Sequence, residues 1–253
     1  MKHALTCIAL LALTSLSASA AGLTIHWNGC AGNPVSVQNL NFACDSDSES
    51  FHALAQFRIP SALTGVTGVE CTLDIAFAGT TVPPWWQFNA GECRSGVNSF
   101  IGPALQLHGA VPGCPDWANG QALGGLAAYN EGAFGPNTAH ILGGFAAPTP
   151  VNLTSTTQDY LAFELVILSD NTTPKGLAGV ACPGCAVPAC IVFTRVKVIS
   201  GQFVADLNSP QSPGSNFITW QGGAGVSSIL GNGCPAATAT LKSTWGRLKS
   251  LYR

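Results

Sequence analysis

Short β-type segments separated by glycine, proline and asparagine recur along almost the whole chain, and this restricts the fold more than any motif does. With 29 Gly and 16 Pro in 253 residues, breakers interrupt most windows long enough for a helix. Glycine weakens a helix interior by about 1 kcal/mol and proline by about 3 kcal/mol. β-Branched and aromatic residues gather between the breakers and mark strands at 23–27, 36–43, 51–59, 69–78, 85–89, 104–108, 137–142, 160–168, 191–199 and 217–220. The runs 159–168 and 191–199 are the longest and belong near the centre of a sheet. Residues 116–129 are the remaining helix candidate, a turn or two weakened by Gly120, Gly124 and Gly125. The expected fold is all-β: a disulfide-braced β-sandwich, jelly-roll or Greek-key like, with little helix, in a single domain over 21–241.

The two ends of the chain differ from that body. Residues 1–20 read as a secretory signal peptide, with Lys2 and His3 before an apolar run and Ala18-Ser19-Ala20 as the cleavage site. Thr14, Ser15 and Ser17 stop the run short of the roughly 18 apolar residues of a membrane span, and the later run 160–168 carries Glu164. The mature chain is therefore expected outside the cell or at its surface, with no transmembrane segment. The ending 242–253 holds Lys242, Arg247, Lys249 and Arg253 and no acid, behind a body with five basic residues against twelve acidic ones. Two readings of this tail stay open: a last helix packed on the sandwich through Trp245, Leu248 and Tyr252, or a docking peptide for an export or surface-anchoring partner. Only 9% of the chain is charged, against about 25% in an ordinary soluble domain. That excludes nucleic-acid binding by phosphate neutralisation, and 47% hydrophobic residues exclude a disordered chain.

Nine cysteines follow Cys7: Cys30, Cys44, Cys71, Cys93, Cys114, Cys182, Cys185, Cys190 and Cys234. In an exported chain these are disulfide partners, and an odd number leaves one alone. Cys71 is the expected free thiol, because 69–77 alternates apolar and polar residues and places Cys71 on the inward face of a strand. Eight cysteines allow 105 connectivities. Short-range closure favours Cys30 with Cys44 and Cys93 with Cys114, leaving Cys182, Cys185 and Cys190 to share Cys234 among them. A zinc site at Cys182, Cys185, Cys190 and Cys234, or a redox pair in Cys182-Pro-Gly-Cys185, is the alternative.

Several blocks have a family look: Trp85-Trp86-Gln87-Phe88 before Cys93-Arg94, Trp117-Ala118-Asn119-Gly120-Gln121-Ala122, Gly184-Cys185 to Cys190, Thr219-Trp220-Gln221-Gly222-Gly223, and the ending Thr244-Trp245-Gly246 to Leu251-Tyr252-Arg253. Through these the chain resembles a loose family of secreted bacterial proteins with no established activity. The resemblance implies a bacterial host and a family without a function, and it implies that Cys71 is an addition peculiar to this chain.

Motifs of common chemistries are missing: there is no G-x-S-x-G, no H-E-x-x-H, no phosphate-binding loop ending in Lys-Ser/Thr and no dinucleotide fingerprint. His26, His52, His108 and His140 lack ligand-like neighbours and read as ordinary strand residues, although a triad can assemble from distant positions. Glu92, Asp116 and Glu131 are loop acids from which a glycosidase pair would have to come. The loop holding Asp45, Asp47 and Glu49 is the candidate for a structural Ca²⁺, without the glycine and distant glutamate of a true Ca²⁺ loop. No other cofactor is indicated. Trp85 and Trp86, adjacent in a strand-like segment, would point to opposite faces, so that one of them, with Trp117, offers an exposed platform for polysaccharide. The expected function is a non-catalytic extracellular or cell-surface binding or structural role. A carbohydrate-binding module using exposed tryptophan and a hydrolase built from loop acids or histidine are the alternatives.

Overall fold

A computed structural model describes residues 20–95, 113–174, 181–201, 203–223 and 234. The expected strand 104–108, residues 1–19 of the expected signal peptide and the tail 242–253 lie outside them. The chain is a β-sandwich. One sheet has three antiparallel strands in the order β1 (Gly22–Trp27), β3 (Ser50–Arg58), β7 (Tyr160–Leu168). The other has seven: β2 (Asn39–Leu40), β10 (Phe217–Trp220), β8 (Ala189–Ser200), β4 (Leu63–Phe77), β6 (Thr138–Leu153) and β5 (Leu123–Glu131) in order, with β9 (Phe203–Leu207) on the far half of β8. The helical element among the described residues is one 3-10 turn, Pro84–Trp86. No helix among them is long and apolar enough to cross a membrane.

Alternation assigns the faces. Leu23, Ile25 and Trp27 of β1, Phe51, Ala53 and Phe57 of β3, and Phe163, Leu165 and Ile167 of β7 meet Leu73, Ile75, Ile141, Ile191, Phe193 and Ile218 of the larger sheet in one buried core. Phe163 and Phe193 touch edge to face across it, 5.3 Å between centroids. Cys71 lies on the inward face of β4, 1% exposed and outside every disulfide. Burial pushes its thiol well above the ordinary pKa. β8 alternates through Ile191 and Phe193, then resumes on Val196 and Val198. A bulge at Thr194 shifts its register against β4, between the pairs Thr72–Arg195 and Leu73–Phe193.

The structure corrects several sequence expectations. Among the described residues β7 is an edge strand, its outer side met by a bridge between Leu161 and Asp116, so its apolar length reflects burial on both faces rather than a central place. Residues 116–129 hold no helix, and β5 begins at Leu123. A Cβ at Gly124 would stand 2.1 Å from the Gly144 carbonyl oxygen of β6. The glycine that weakens a helix here is what lets the strand approach. β6 runs on past the expected 142 because Pro148 and Pro150 lie beyond Ala146, the last residue paired with β5, where a missing N–H costs no ladder bond. Of 36–43 only Asn39–Leu40 forms a strand, and 85–89 falls in and after the 3-10 turn.

The disulfides are Cys30–Cys114, Cys44–Cys185, Cys93–Cys182 and Cys190–Cys234. The short-range pairs Cys30–Cys44 and Cys93–Cys114 are therefore corrected, as are the zinc and redox readings, since Cys182 and Cys185 bond to different distant partners. Short loops have little advantage in closure: each doubling of loop length costs only about 0.6 kcal/mol. Bridges spanning 44 to 141 residues stabilise by about 3–5 kcal/mol each on the chain-entropy account.

Two outcomes test this arrangement. Gly223 lies three residues after Trp220, against the start of β8, and a Cβ there would stand 1.9 Å from the Ala189 carbonyl oxygen. Gly223→Ala is expected to lose about 3 kcal/mol by overpacking, read from urea unfolding of the oxidised protein. Native protein should resist thiol alkylation, whereas unfolded, unreduced protein should take up label at Cys71.

Candidate functional site

Among the described residues the five tryptophans, Trp27, Trp85, Trp86, Trp117 and Trp220, belong to one buried core. Trp220 is its hub, with ring centroids 4.4 Å from Phe42, 5.0 Å from Phe51, 5.0 Å from Trp85 and 5.3 Å from Trp86. The Trp220 indole N–H donates to the Cys185 carbonyl at 2.6 Å, and that of Trp27 donates to Thr219 at 3.0 Å. Trp85, Trp86 and Trp117 are at most 1% exposed, so they offer no platform to polysaccharide and that expectation is corrected. The 3-10 turn turns both Trp85 and Trp86 inward, where strand alternation would have split them.

Arg94 closes the cluster from one side. Fully buried, it stacks its guanidinium 4.1 Å from the Trp85 ring centroid and 4.9 Å from that of Phe88. It donates to the carbonyls of Trp85 (3.1 Å) and Leu168. Burial lowers its pKa to about 10, against the pull of Asp170 and Asp47. Nothing local in the sequence signals a buried cation at Arg94.

The acidic loop does not converge on a cation. Asp47 accepts the backbone N–H (2.8 Å) and the hydroxyl of Thr173, and these bonds hold its carboxyl below the usual value. Asp45 and Glu49 are exposed. Among the described residues no group of three or more His, Cys, Asp or Glu is placed to hold a metal ion.

The loop acids divide. Asp116 caps its own turn, accepting the N–H groups of Ala118 (2.7 Å) and Gly120 (2.8 Å). Glu131, at the end of β5, hydrogen-bonds directly to the Glu92 carboxyl, while Asn89 donates to Glu131 Oε1 (3.0 Å) and to Glu92 Oε2 (2.9 Å).

The outer face of the seven-stranded sheet carries a trough of about 400 Å³ over three neighbouring strands. β4 contributes Glu70, Thr72 and Asp74, β6 contributes His140 and Leu142, and β8 contributes Thr194, Arg195 and Lys197. Asp74 holds His140 Nδ1 at 2.6 Å and Glu70 holds Lys197 Nζ at 3.2 Å. Arg195 pairs with Asp206 of β9. The Thr194 bulge bonds its hydroxyl to the Thr72 carbonyl at 3.2 Å and turns Arg195 onto this face. Phe134 stands edge-on to His140, 5.5 Å away. None of this was legible from local spacing, because the residues meet only through strand register.

The remaining histidines differ. Burial lowers the pKa of His26, with Asp159 opposing it. His52 lies between Ser50 and Glu164, with hydrogen bonds of 2.8 Å to each. The bond to Glu164 raises its pKa. His108 lies outside the described residues.

The Glu92–Glu131 contact gives a pH test. Loss of water around the carboxyl, then the bond and charge of Glu92, raise the Glu131 pKa to about 8, from 4.5. The folded state thus holds this proton more tightly than the unfolded one. Its contribution is complete below about pH 4.5 and is lost as pH rises through about 8. Glu131→Gln should narrow or reverse its Tm difference from the parent in its own favour as pH rises from 5 to 9, measured by thermal unfolding of both.

No protein-family model matches the chain, and no curated protein matches it. Among solved structures it is similar to a cohesin module from a Clostridium perfringens ATCC13124 family 33 glycoside hydrolase, at 12% identity and a TM-score of 0.35, over 80% of this chain and 97% of that one.

Proposed function

We propose that the protein is an exported β-sandwich module that acts outside the cell or at its surface by binding, with the trough over β4, β6 and β8 as its ligand face. The trough itself carries the reading. Three adjacent strands present carboxylates, hydroxyls, an imidazole, a guanidinium and an ammonium within about 400 Å³, next to exposed Leu142. Donors and acceptors of both signs, largely paired among themselves, suit a neutral polyhydroxylated chain such as a polysaccharide better than a strongly charged ligand. The bulge at Thr194 supports it, since bulges re-aim side chains beside functional sites. Export is supported by the leader-like start and by four disulfides, which persist in oxidising compartments. The basic tail is the part of the chain suited to docking on a surface-anchoring partner, a reading that rests on sequence alone.

Binding to a panel of polysaccharides, followed by calorimetry on any that bind, tests the proposal. Arg195→Ala and Asp74→Asn are expected to weaken binding at least about tenfold, roughly one hydrogen bond to a charged group each, with little change in Tm. Binding that survives both substitutions would move the ligand face elsewhere.

A further inference from the structure

β7 is apolar along its whole length except for one residue. Glu164 sits in the run Tyr-Leu-Ala-Phe-Glu-Leu-Val-Ile-Leu with its side chain only 6% exposed. Burying a carboxylate is costly unless something compensates it, and one of its oxygens, Oε2, is buried with no hydrogen-bond partner. The other, Oε1, lies 2.8 Å from His52 Nδ1. On the far side of the ring, His52 Nε2 lies 2.8 Å from the hydroxyl of Ser50. Ser50 is exposed and the His52 side chain is 40% exposed, so the polar end of this chain of contacts faces solvent while its anchor is buried.

Strand geometry builds the arrangement. Ser50 and His52 are two residues apart on β3 and share its outer face. Glu164 lies on β7 opposite Leu54, one step further along the same face. With Glu164 accepting the Nδ1 proton, Nε2 is left as the acceptor for the Ser50 hydroxyl, the tautomer a general base needs.

The backbone adds a donor. β1 pairs with β3 no further than Ala53, and the next contact on that side is Asn28 donating to the His52 carbonyl. By alternation the Ser50 N–H points to the same side, past the end of β1, with no strand paired to it there among the described residues. Beside the Ser50 hydroxyl, it is the backbone donor for the oxyanion that forms on the carbonyl oxygen of an ester attacked by Ser50.

We propose that Ser50, His52 and Glu164 are the nucleophile, general base and positioning residue of a hydrolytic site for short-chain carboxylic esters. Ser50 Oγ bonds to the acyl carbon as its proton passes to His52 Nε2. The tetrahedral intermediate collapses with cleavage of the bond to the leaving oxygen, which takes that proton from His52 and departs as the alcohol. Water then adds to the acyl-Ser50 ester and gives a proton to His52. Cleavage of the bond to Oγ releases the carboxylic acid and returns the proton to Ser50. Ser50 stands at the start of β3 and is exposed, so an ester can reach it from solvent, and acetyl is the test acyl group. The site is independent of the trough, which lies on the other sheet.

The experiment uses the full oxidised chain, with a fluorophosphonate probe and p-nitrophenyl acetate. The expected result is labelling at Ser50, located by peptide mass, together with ester hydrolysis that Ser50→Ala abolishes. His52→Asn should lower kcat by at least about 100-fold, the scale of general base catalysis. Glu164→Gln, nearly isosteric, should lower kcat with KM unchanged. A purely structural role for the His52–Glu164 contact would shift Tm in those two variants without affecting labelling. No labelling of the parent, labelling elsewhere, or hydrolysis by Ser50→Ala at the parent rate would overturn the proposal.

Discussion

The packing of Trp220 is the contact on which the rest of the molecule depends. Its ring meets Phe51 of the small sheet and Trp85 and Trp86 of the 3-10 turn, and its neighbour Thr219 accepts from Trp27 of β1. One side chain near the end of the described chain thus joins both sheets and the segment between β4 and β5. A charged surface would ordinarily keep so apolar a chain apart from its neighbours. Here the aromatic surface is turned inward, ion pairs such as Arg58–Asp159 and Arg195–Asp206 lie outside it, and Arg94 closes the cluster.

Much of the fold was legible because strands with one buried face alternate. β7 and β10 begin and end where the sequence places them, and β1, β3 and β8 differ by a few residues at most. Legibility failed where a residue's reason for being there is its neighbour. Gly124 reads as a helix breaker until the Gly144 carbonyl is seen against it. Trp85 and Trp86 read as opposite-facing until the turn is known. β9 was missed because Phe203 and Val204 are exposed, leaving no inward pattern to find.

The candidate sites were less legible than the strands. The trough and the Ser50 contact chain each join strands distant in sequence, and their partners are fixed by register. Local spacing can announce a metal knuckle or a phosphate loop. It cannot announce Asp74 beside His140, which depends on how β4 is laid against β6. Glu164 was the one signal available, an acid inside an otherwise apolar strand.

The disulfide connectivity has a consequence for how the protein is made. Cys30, Cys44 and Cys93 all bond past their nearest downstream cysteines. A chain oxidised in the order of its synthesis would first join Cys30 to Cys44, and that bond must be exchanged before Cys114 and Cys185 can find their partners. Exchange proceeds by thiolate attack on an existing bridge, so the buried Cys71 would be a reactive competitor until the core closes over it. Correct maturation therefore calls for a compartment that isomerises disulfides as well as forming them. An oxidising host without that capacity would accumulate mispaired chains even where every cysteine is bonded.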